Sequence, residues 1–418
     1  MMVTVILRIL LLLLLLVAGK NVFYQFASVQ VARLLPAPQG FQQALRWYPN
    51  DPEHHYGLGL LYRDKLLHKD LPASQKHLEK ATQLHPLNWI YWFELARAYE
   101  IYGATVEAEK AYLKAIALTP ESPLYRWRLA NFHFRYGDQQ KSLMEFRKAV
   151  QLDPASYGEA TVSLLWKSGL REQEIEQVWP ENPENPEIGL RLLSVLMEGG
   201  ATADYLGKKW QRLIEGGTPP SISQSYPYLT YLVNTDPQEA QRQWTILTTE
   251  NSLTDPEFHR GGNLVWNGNF ELAITNSPLD WALRNRDGYK VRTVDGEGVD
   301  DTGAIRIDFD GTENLASVDV KQQLVVQPNL QYELSFLARC EDVNSDQGIY
   351  FHVQAGDSVW TSKPILGTTQ WESNSIIFKI PEGIQIAVIR LARVRSRKID
   401  SLVRGKLWLD SIYLRRVD

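Results

Sequence analysis

The chain has 418 residues, 44% of them hydrophobic and 22% charged, with a formal net charge of −5. That length supports two or three domains with sizeable cores, and the lack of a global basic field argues against a nucleic-acid binder. The single cysteine, Cys340, excludes an intramolecular disulfide framework and any zinc cluster built on several thiols.

The N-terminus opens on an apolar stretch from Val3 to Ala18, interrupted only by Arg8. At ~1.5 Å rise per residue such a helix spans roughly 25–30 Å, close to a bilayer core. Arg8, near one end, can snorkel to the headgroups. One reading is a secretory signal peptide with its apolar region at Ile9–Val17; the other is an uncleaved signal anchor over residues 1–20. The poor small-x-small pattern before Gly19 and the aromatic Phe23, Tyr24 and Phe26 beyond it favour the anchor. The rest of the chain is then expected on the periplasmic or extracellular side.

Residues 21–155 carry an internal period. The segments ATQLHP, AIALTP and AVQLDP end at Pro86, Pro120 and Pro154, 34 residues apart each time. Within that frame Leu95, Ala96, Tyr99, Gly103, Ala108, Tyr112 and Ala115 match Leu129, Ala130, His133, Gly137, Ser142, Phe146 and Ala149. An upstream copy places Leu58, Gly59, Tyr62, Ser74, Leu78 and Ala81 in the same slots. Small residues let paired helices approach, large ones fill the gaps, and proline sets the break. The pattern resembles the tetratricopeptide repeat, a helix–turn–helix whose copies stack into a solenoid. The resemblance implies that the signature positions are packing residues and that function lies on a concave face made by the first helix of each copy. It places Tyr56, Arg63, Phe93, Arg97, Glu100, Trp127, Asn131 and Arg135 there. An aromatic and an arginine in each copy suit a groove for an extended peptide or a helix of a protein partner. The alternative is that the following helices cover Phe93 and Trp127. From 156 to 255 the frame decays into degenerate helical repeats, with EGGTPPSISQSYP (215–227) reading as a loop or local break.

Past residue 262 the helical period gives way to alternation. In AIRIDFDG, Ile305, Ile307 and Phe309 alternate with Arg306, Asp308 and Asp310. The runs SVDVKQQLVV, QYELSFLAR, GIYFHVQA, SNSIIFKI, AVIRLARVR and KLWLDSIYLRRV follow, separated by turn residues. The expected architecture is multidomain α + β: a helical tetratricopeptide-type solenoid, then an antiparallel β-sandwich of jelly-roll type over 262–418. In that sandwich Cys340 reads as a buried or half-buried thiol. The early segment Asn267-Gly268-Asn269-Phe270-Glu271 and the final Leu407-Trp408-Leu409-Asp410 resemble the galactose-binding-like jelly rolls that include carbohydrate-binding modules. The resemblance makes NLVWNGNFEL the first strand, beside the last one. It also makes Glu271 and Asp410 candidates for a structural Ca²⁺, an ion suited to hard oxygen ligands. A plain turn-stabilising role for Glu271 is the alternative.

Glycan contact needs aromatic platforms beside polar side chains. The candidates are Trp281, Tyr350, Trp360 and Trp371, with Arg390 and Arg393 as donors. Trp371 and Trp408 fall in slots that are apolar in the resembled modules, which points them to the core. Nine Lys and Arg between 390 and 416, against Asp400 and Asp410, suit an anionic polysaccharide or headgroup, or equally a strand edge protected by charge. No phosphate loop, G-x-S-x-G elbow, H-E-x-x-H motif or Cys–His nucleophile context occurs. The expectation is a membrane-anchored, exported, non-catalytic scaffold. Its repeats bind a protein partner, and its jelly roll binds a glycan or packs on envelope polysaccharide assembly or export machinery. A purely protein-binding scaffold with a structural sandwich is the runner-up, and a carbohydrate-active enzyme the third reading.

Overall fold

The computed structural model describes residues 2–180, 186–216, 219–344, 347–397 and 401–417, with backbone only for residues 2–13. The chain divides into two compact units, residues 1–181 and 182–418. The helices read as one degenerate stretch over 156–255 therefore fall in two units.

The first unit is helical: α1 (Met2–Leu34), α2 (Gln39–Trp47), α3 (Pro52–Asp64), α4 (Leu71–Leu84), α5 (Trp89–Tyr102), α6 (Thr105–Leu118), α7 (Pro123–Arg135), α8 (Gln139–Leu152), α9 (Pro154–Lys167) and α10 (Glu172–Val178). Local chemistry sets these starts. Asp51, Asp70, Asn88, Asp138 and Asp153 accept hydrogen bonds from first-turn N–H groups, satisfying donors that the helix leaves orphaned. Pro154 opens α9 rather than closing α8, since its missing N–H is harmless in a first turn. The expected packing slots are filled as their sizes require: Leu95, Ala96, Ala108, Tyr112, Ala115, Leu129, Ala130, Phe146 and Ala149 are buried. At Gly59 an added Cβ would lie 2.5 Å from Leu78 Cγ, so α3 and α4 approach as closely as they do only without a side chain there. His54 and His55 belong to this packing: His54 faces Ser28 Oγ at 3.3 Å, and His55 Nδ1 meets His77 Nδ1 at 2.9 Å.

Among the described residues no helix is long and apolar enough to cross a membrane. The side chains of residues 2–13, on which most of the apolar run and Arg8 fall, lie outside the described residues. On the part of α1 that is described, Leu14, Leu15, Leu16, Val17, Phe23 and Phe26 are exposed.

The second unit begins with α11 (Pro186–Glu198), α12 (Ala203–Glu215), α13 (Ile222–Thr235), α14 (Pro237–Glu250) and the short α15 (Pro256–His259). The segment read as a loop over 215–227 is partly helical. Ser221 and Gln224 form a capping box at the start of α13, and Pro227 sits within it.

Two five-stranded antiparallel sheets then face each other. Their strands are β1 (Ala282–Leu283), β2 (Tyr289–Val294), β3 (Ala304–Asp310), β4 (Ser317–Val325), β5 (Gln331–Asn344), β6 (Tyr350–Ala355), β7 (Ser358–Thr361), β8 (Gly367–Lys379), β9 (Ile386–Ala392) and β10 (Arg404–Val417). The first sheet runs β1-β4-β9-β6-β7 and the second β2-β3-β10-β5-β8. The core lies between them and includes Ile305, Ile307, Phe309, Phe336, Phe351, Val353, Ile389, Leu407 and Leu409. Cys340 is buried in it, its Sγ 3.3 Å from Thr369 Oγ1.

The expected first strand is not one. Residues 263–272 form no ladder; Asn267 and Phe270 take left-handed backbone angles (φ 49° and 57°). Side chains replace the ladder. Asn263 donates from Nδ2 to Ile412 O (2.9 Å) and accepts from the N–H groups of Val265 and Leu414 (2.9 Å each). Gln322 of β4 clasps the backbone of Trp266 on both sides, at 3.2 and 2.9 Å. The Ile412 N–H donates to Gly268 O at 2.9 Å, and a Cβ at Gly268 would stand 2.1 Å from Ile412 O. Gly268→Ala must push the segment off β10. It is expected to lower the stability of the second unit by about 1–3 kcal/mol, read as a drop in denaturant midpoint; an unchanged midpoint would show that the clasp is loose.

Candidate functional site

The groove residues lie on α3, α5 and α7, as the repeat frame requires, but their charges are largely used up internally. Arg63, whose side chain is only 1% exposed, reaches Glu94 Oε2 at 2.6 Å and forks onto Asp64 at 2.8 and 2.9 Å. Glu94 also takes Arg97 at 3.0 Å. Glu100 accepts from Tyr112 Oη at 2.8 Å and pairs with Arg135. Phe93 is buried between Tyr112 and Tyr125. Tyr56 packs in a tilted ring contact on Tyr91, centroids 4.9 Å apart. Trp127 is half-buried against Phe146 and Tyr157, and Asn131 Nδ2 donates to its carbonyl at 2.7 Å. Arg97 and Arg135, with side chains 40% and 56% exposed, are thus the cations left facing solvent. Glu94, the residue that organises this face, had no signal in the repeat frame, because its slot carries no size requirement.

In the sandwich the glycan candidates scatter. Trp281, just before β1, is fully buried, packed on Phe270 at 5.4 Å with its indole N–H on Asn267 O, so it offers no platform. Trp360 points inward onto Phe378 at 5.3 Å. Arg393 is buried and holds loops together through Asn314 Oδ1, Leu315 O and Ser401 O at 2.9–3.1 Å. Trp408 is buried, as expected, but under charged side chains on the outer face of the second sheet and not between the sheets; Trp371, on the same face, is half-buried. There Arg339 stands 5.4 Å from the Trp371 ring and 4.2 Å from the Trp408 ring, and Arg306 covers Trp408 at 5.3 Å. Glu297 accepts the Trp408 indole N–H at 2.6 Å. These ring faces are occupied by cations. Of the basic run over 390–416, Lys398 lies outside the described residues, as does Asp400.

Tyr350 and Arg390 do share a surface. Both are half-exposed on the outer face of the first sheet, on the adjacent strands β6 and β9. Arg390 pairs in register with His352, and its Nη2 lies 3.4 Å from both His352 Nε2 and Gln354 Oε1. Burial, and then the Arg390 charge, hold His352 below its ordinary pKa, so at neutral pH it is a neutral donor–acceptor. Among the described residues the Tyr350 ring has no aromatic or cation partner. One unoccupied aromatic ring beside a neutral imidazole, an amide and a guanidinium can stack on a sugar ring and hydrogen-bond its hydroxyls. His352 and Gln354 were legible in GIYFHVQA as the polar partners of an alternating strand.

Glu271 and Asp410 stand near each other at the mouth of the loop 299–303. Glu271 Oε1 accepts from Gly303 N–H at 2.7 Å, and Asp410 Oδ2 accepts from Val299 N–H at 2.8 Å. Burial pushes the Asp410 carboxyl above its usual range, and the Glu271 charge adds to the shift. Among the described residues no group of three or more His, Cys, Asp or Glu is placed to hold a metal ion.

A tetratricopeptide-repeat family model matches residues 68–123 and 107–157. Residues 68–157 are tetratricopeptide repeats. The comparison with curated protein sequences finds no match. Among solved structures, a crystal structure of MamA protein is 16% identical, covering 48% of this chain and 92% of its own, with a TM-score of 0.30. A structure described as "CBM4 structure and function" is 16% identical, covering 37% and 99%, with a TM-score of 0.27. The CBM22-1–GH10 modules of Clostridium thermocellum xylanase 10B, complexed with xylohexaose, are 15% identical, covering 37% of this chain and 29% of that one, with a TM-score of 0.27. At these scores the likenesses say nothing of what this protein binds.

Within the tetratricopeptide repeats, the two ion pairs of Glu94 differ in kind. Glu94→Ala removes the cross-helix carboxylate of buried Arg63, which keeps Asp64 and the backbone carbonyl of residue 94, and is expected to cost about 1–3 kcal/mol. Arg97→Ala removes a half-exposed pair and is expected to cost less than about 1 kcal/mol. Chemical denaturation of both variants checks this; equal losses would mean that the buried pair carries no special weight.

Proposed function

We propose that this protein is a membrane-tethered, non-catalytic scaffold on the exported side of an envelope membrane. Its tetratricopeptide repeats hold a protein partner, and its β-sandwich holds a glycan on the outer face of the first sheet, in the assembly or export of an extracellular polysaccharide. The observation that carries the glycan reading is the Tyr350 ring without a partner, beside His352, Gln354 and Arg390. The partner reading rests on the repeats and on the exposed ends of Arg97 and Arg135. A structural Ca²⁺ belongs to the same reading. Glu271 and Asp410 would each lend it a carboxylate oxygen, and the cation would relieve the repulsion that helps raise Asp410.

The full chain in detergent, run through gels that contain neutral β-glucan or a uronic-acid polymer, tests the glycan site. Retardation is expected, and Tyr350→Ala should abolish it without lowering the melting temperature. Addition of EGTA should lower that temperature if Ca²⁺ is resident. No retardation by any polymer, with or without Ca²⁺, would leave the purely protein-binding scaffold, a reading that the burial of Trp281 and the inward turn of half-buried Trp360 favour.

The tether rests on the run from Val3 to Ala18 and on the exposed Leu14, Leu15, Leu16 and Val17. Alkaline extraction of membranes should leave the chain in the pellet; release with peripheral proteins overturns the anchor.

A further inference from the structure

At the β1 edge of the first sheet a polar cleft of about 290 Å³ opens, lined by Tyr226 of α13, by Asn276, Ser277 and Arg284, and by Lys321 and Gln323 of β4. It is continuous with the Tyr350 face. Lys321 pairs in register with Arg390, which in turn pairs with His352, so one row of polar residues crosses three strands and ends in the cleft.

Two features of the cleft are unexplained by the fold. First, the Ser277 hydroxyl is buried and has no hydrogen-bond partner, although the residue is only 3% exposed; a buried hydroxyl left unmade is costly. Second, Arg284 and Lys321 are exposed cations with no acidic partner among the described residues, because the nearby Asp319 is taken by Arg286. The acid in the wall, Asp280, does not offset them towards a ligand. It is 1% exposed, and its oxygens accept from Thr275 N–H and Oγ1 and from Trp281 N–H, at 2.5–2.7 Å. Its work is to hold the turn that carries Asn276 and Ser277. Asn276 uses its Oδ1 on Leu283 N–H at 3.0 Å, which leaves its amide NH₂ to donate.

We propose that this cleft binds the carboxylate-bearing ring of an acidic glycan, as the end subsite of a chain lying across the Tyr350 face. Arg284 and Lys321 pair with the carboxylate, the strong charge-assisted kind of contact. Ser277, Asn276 and Gln323 hydrogen-bond the ring hydroxyls. A volume at the low end of the range for ligand sites admits one ring rather than a longer segment. The inference rests on the glycan reading above and narrows it from any sugar to a uronic-acid polymer.

The test is calorimetric titration of the full chain in detergent with hexagalacturonate and with the same oligomer after carboxyl reduction. The acidic oligomer is expected to bind about tenfold more tightly, and added salt should erode the difference. The Arg284→Ala/Lys321→Ala double variant should bind the two oligomers alike. Ser277→Ala, which leaves no polar atom unsatisfied, should weaken the acidic oligomer several-fold while keeping the melting temperature. Equal binding of the two oligomers by the parent chain, or a preference that survives in the double variant, overturns the subsite and leaves the glycan face standing. Binding of neither oligomer, with retention by neutral glucan, also overturns the subsite alone. Binding of neither, with no retention by any polymer, removes both.

Discussion

The second unit is organised around the bulge in β10. Between Asp410 and Tyr413 the register slips, and Ser411 takes a left-handed angle of 51°. The slip frees the N–H and C=O of Ile412 from the strand ladder, and buried backbone groups must find partners elsewhere. They find Gly268 O and Asn263 Nδ2. Two features of the segment 263–270 meet that demand: a residue without Cβ at 268 and a side-chain amide at 263 that donates to the Ile412 carbonyl.

The same segment fastens three layers. Its backbone is held by Gln322 of the first sheet and by Ile412 of the second. The Trp266 ring meets Trp244 of α14 and Phe258 of α15, each at 5.3 Å. Asp255 caps α15 with one oxygen and takes the Asn267 N–H with the other, at 2.8 Å. Each neutral hydrogen bond contributes only about 1 kcal/mol net. Because they share buried partners, loss of one strands the others, and the helices and both sheets are coupled through ten residues that form no regular structure of their own.

That is also where sequence reading fails. Periodicity reports elements whose own backbone closes the hydrogen bonds, so the helical repeat at Pro86, Pro120 and Pro154 and the alternation at Ile305, Ile307 and Phe309 are legible. A segment such as NLVWNGNFEL, whose bonds are closed by its own Asn263 side chain and by Gln322, Asp255 and Ile412 from distant parts of the chain, carries an apolar pattern without the conformation that usually accompanies it. The two-residue β1 and the four-residue β7 are too short to show a period at all. In the repeats, size-limited slots such as Ala96 and Ala130 could be read. Glu94 could not, since its role depends on where Arg63 of the preceding repeat ends.

The candidate glycan face was legible only in part, for a related reason. An aromatic residue in the sequence says nothing of which side of its ring is taken. Trp281 is buried against Phe270 and Asn267, Trp360 is turned inward by strand register, and Trp371 and Trp408 face outward but lie beside or beneath arginines. On the second sheet Arg339 and Arg306 saturate the aromatic faces, and Glu297 and Asp308 in turn neutralise Arg306. On the first sheet the charges lie beside the aromatic instead of over it: Arg390 turns to His352 and Gln354, and Tyr350 keeps its ring. The quantity that separates the two faces of one sandwich is therefore the unoccupied ring face, and the side with the fewer aromatics has it.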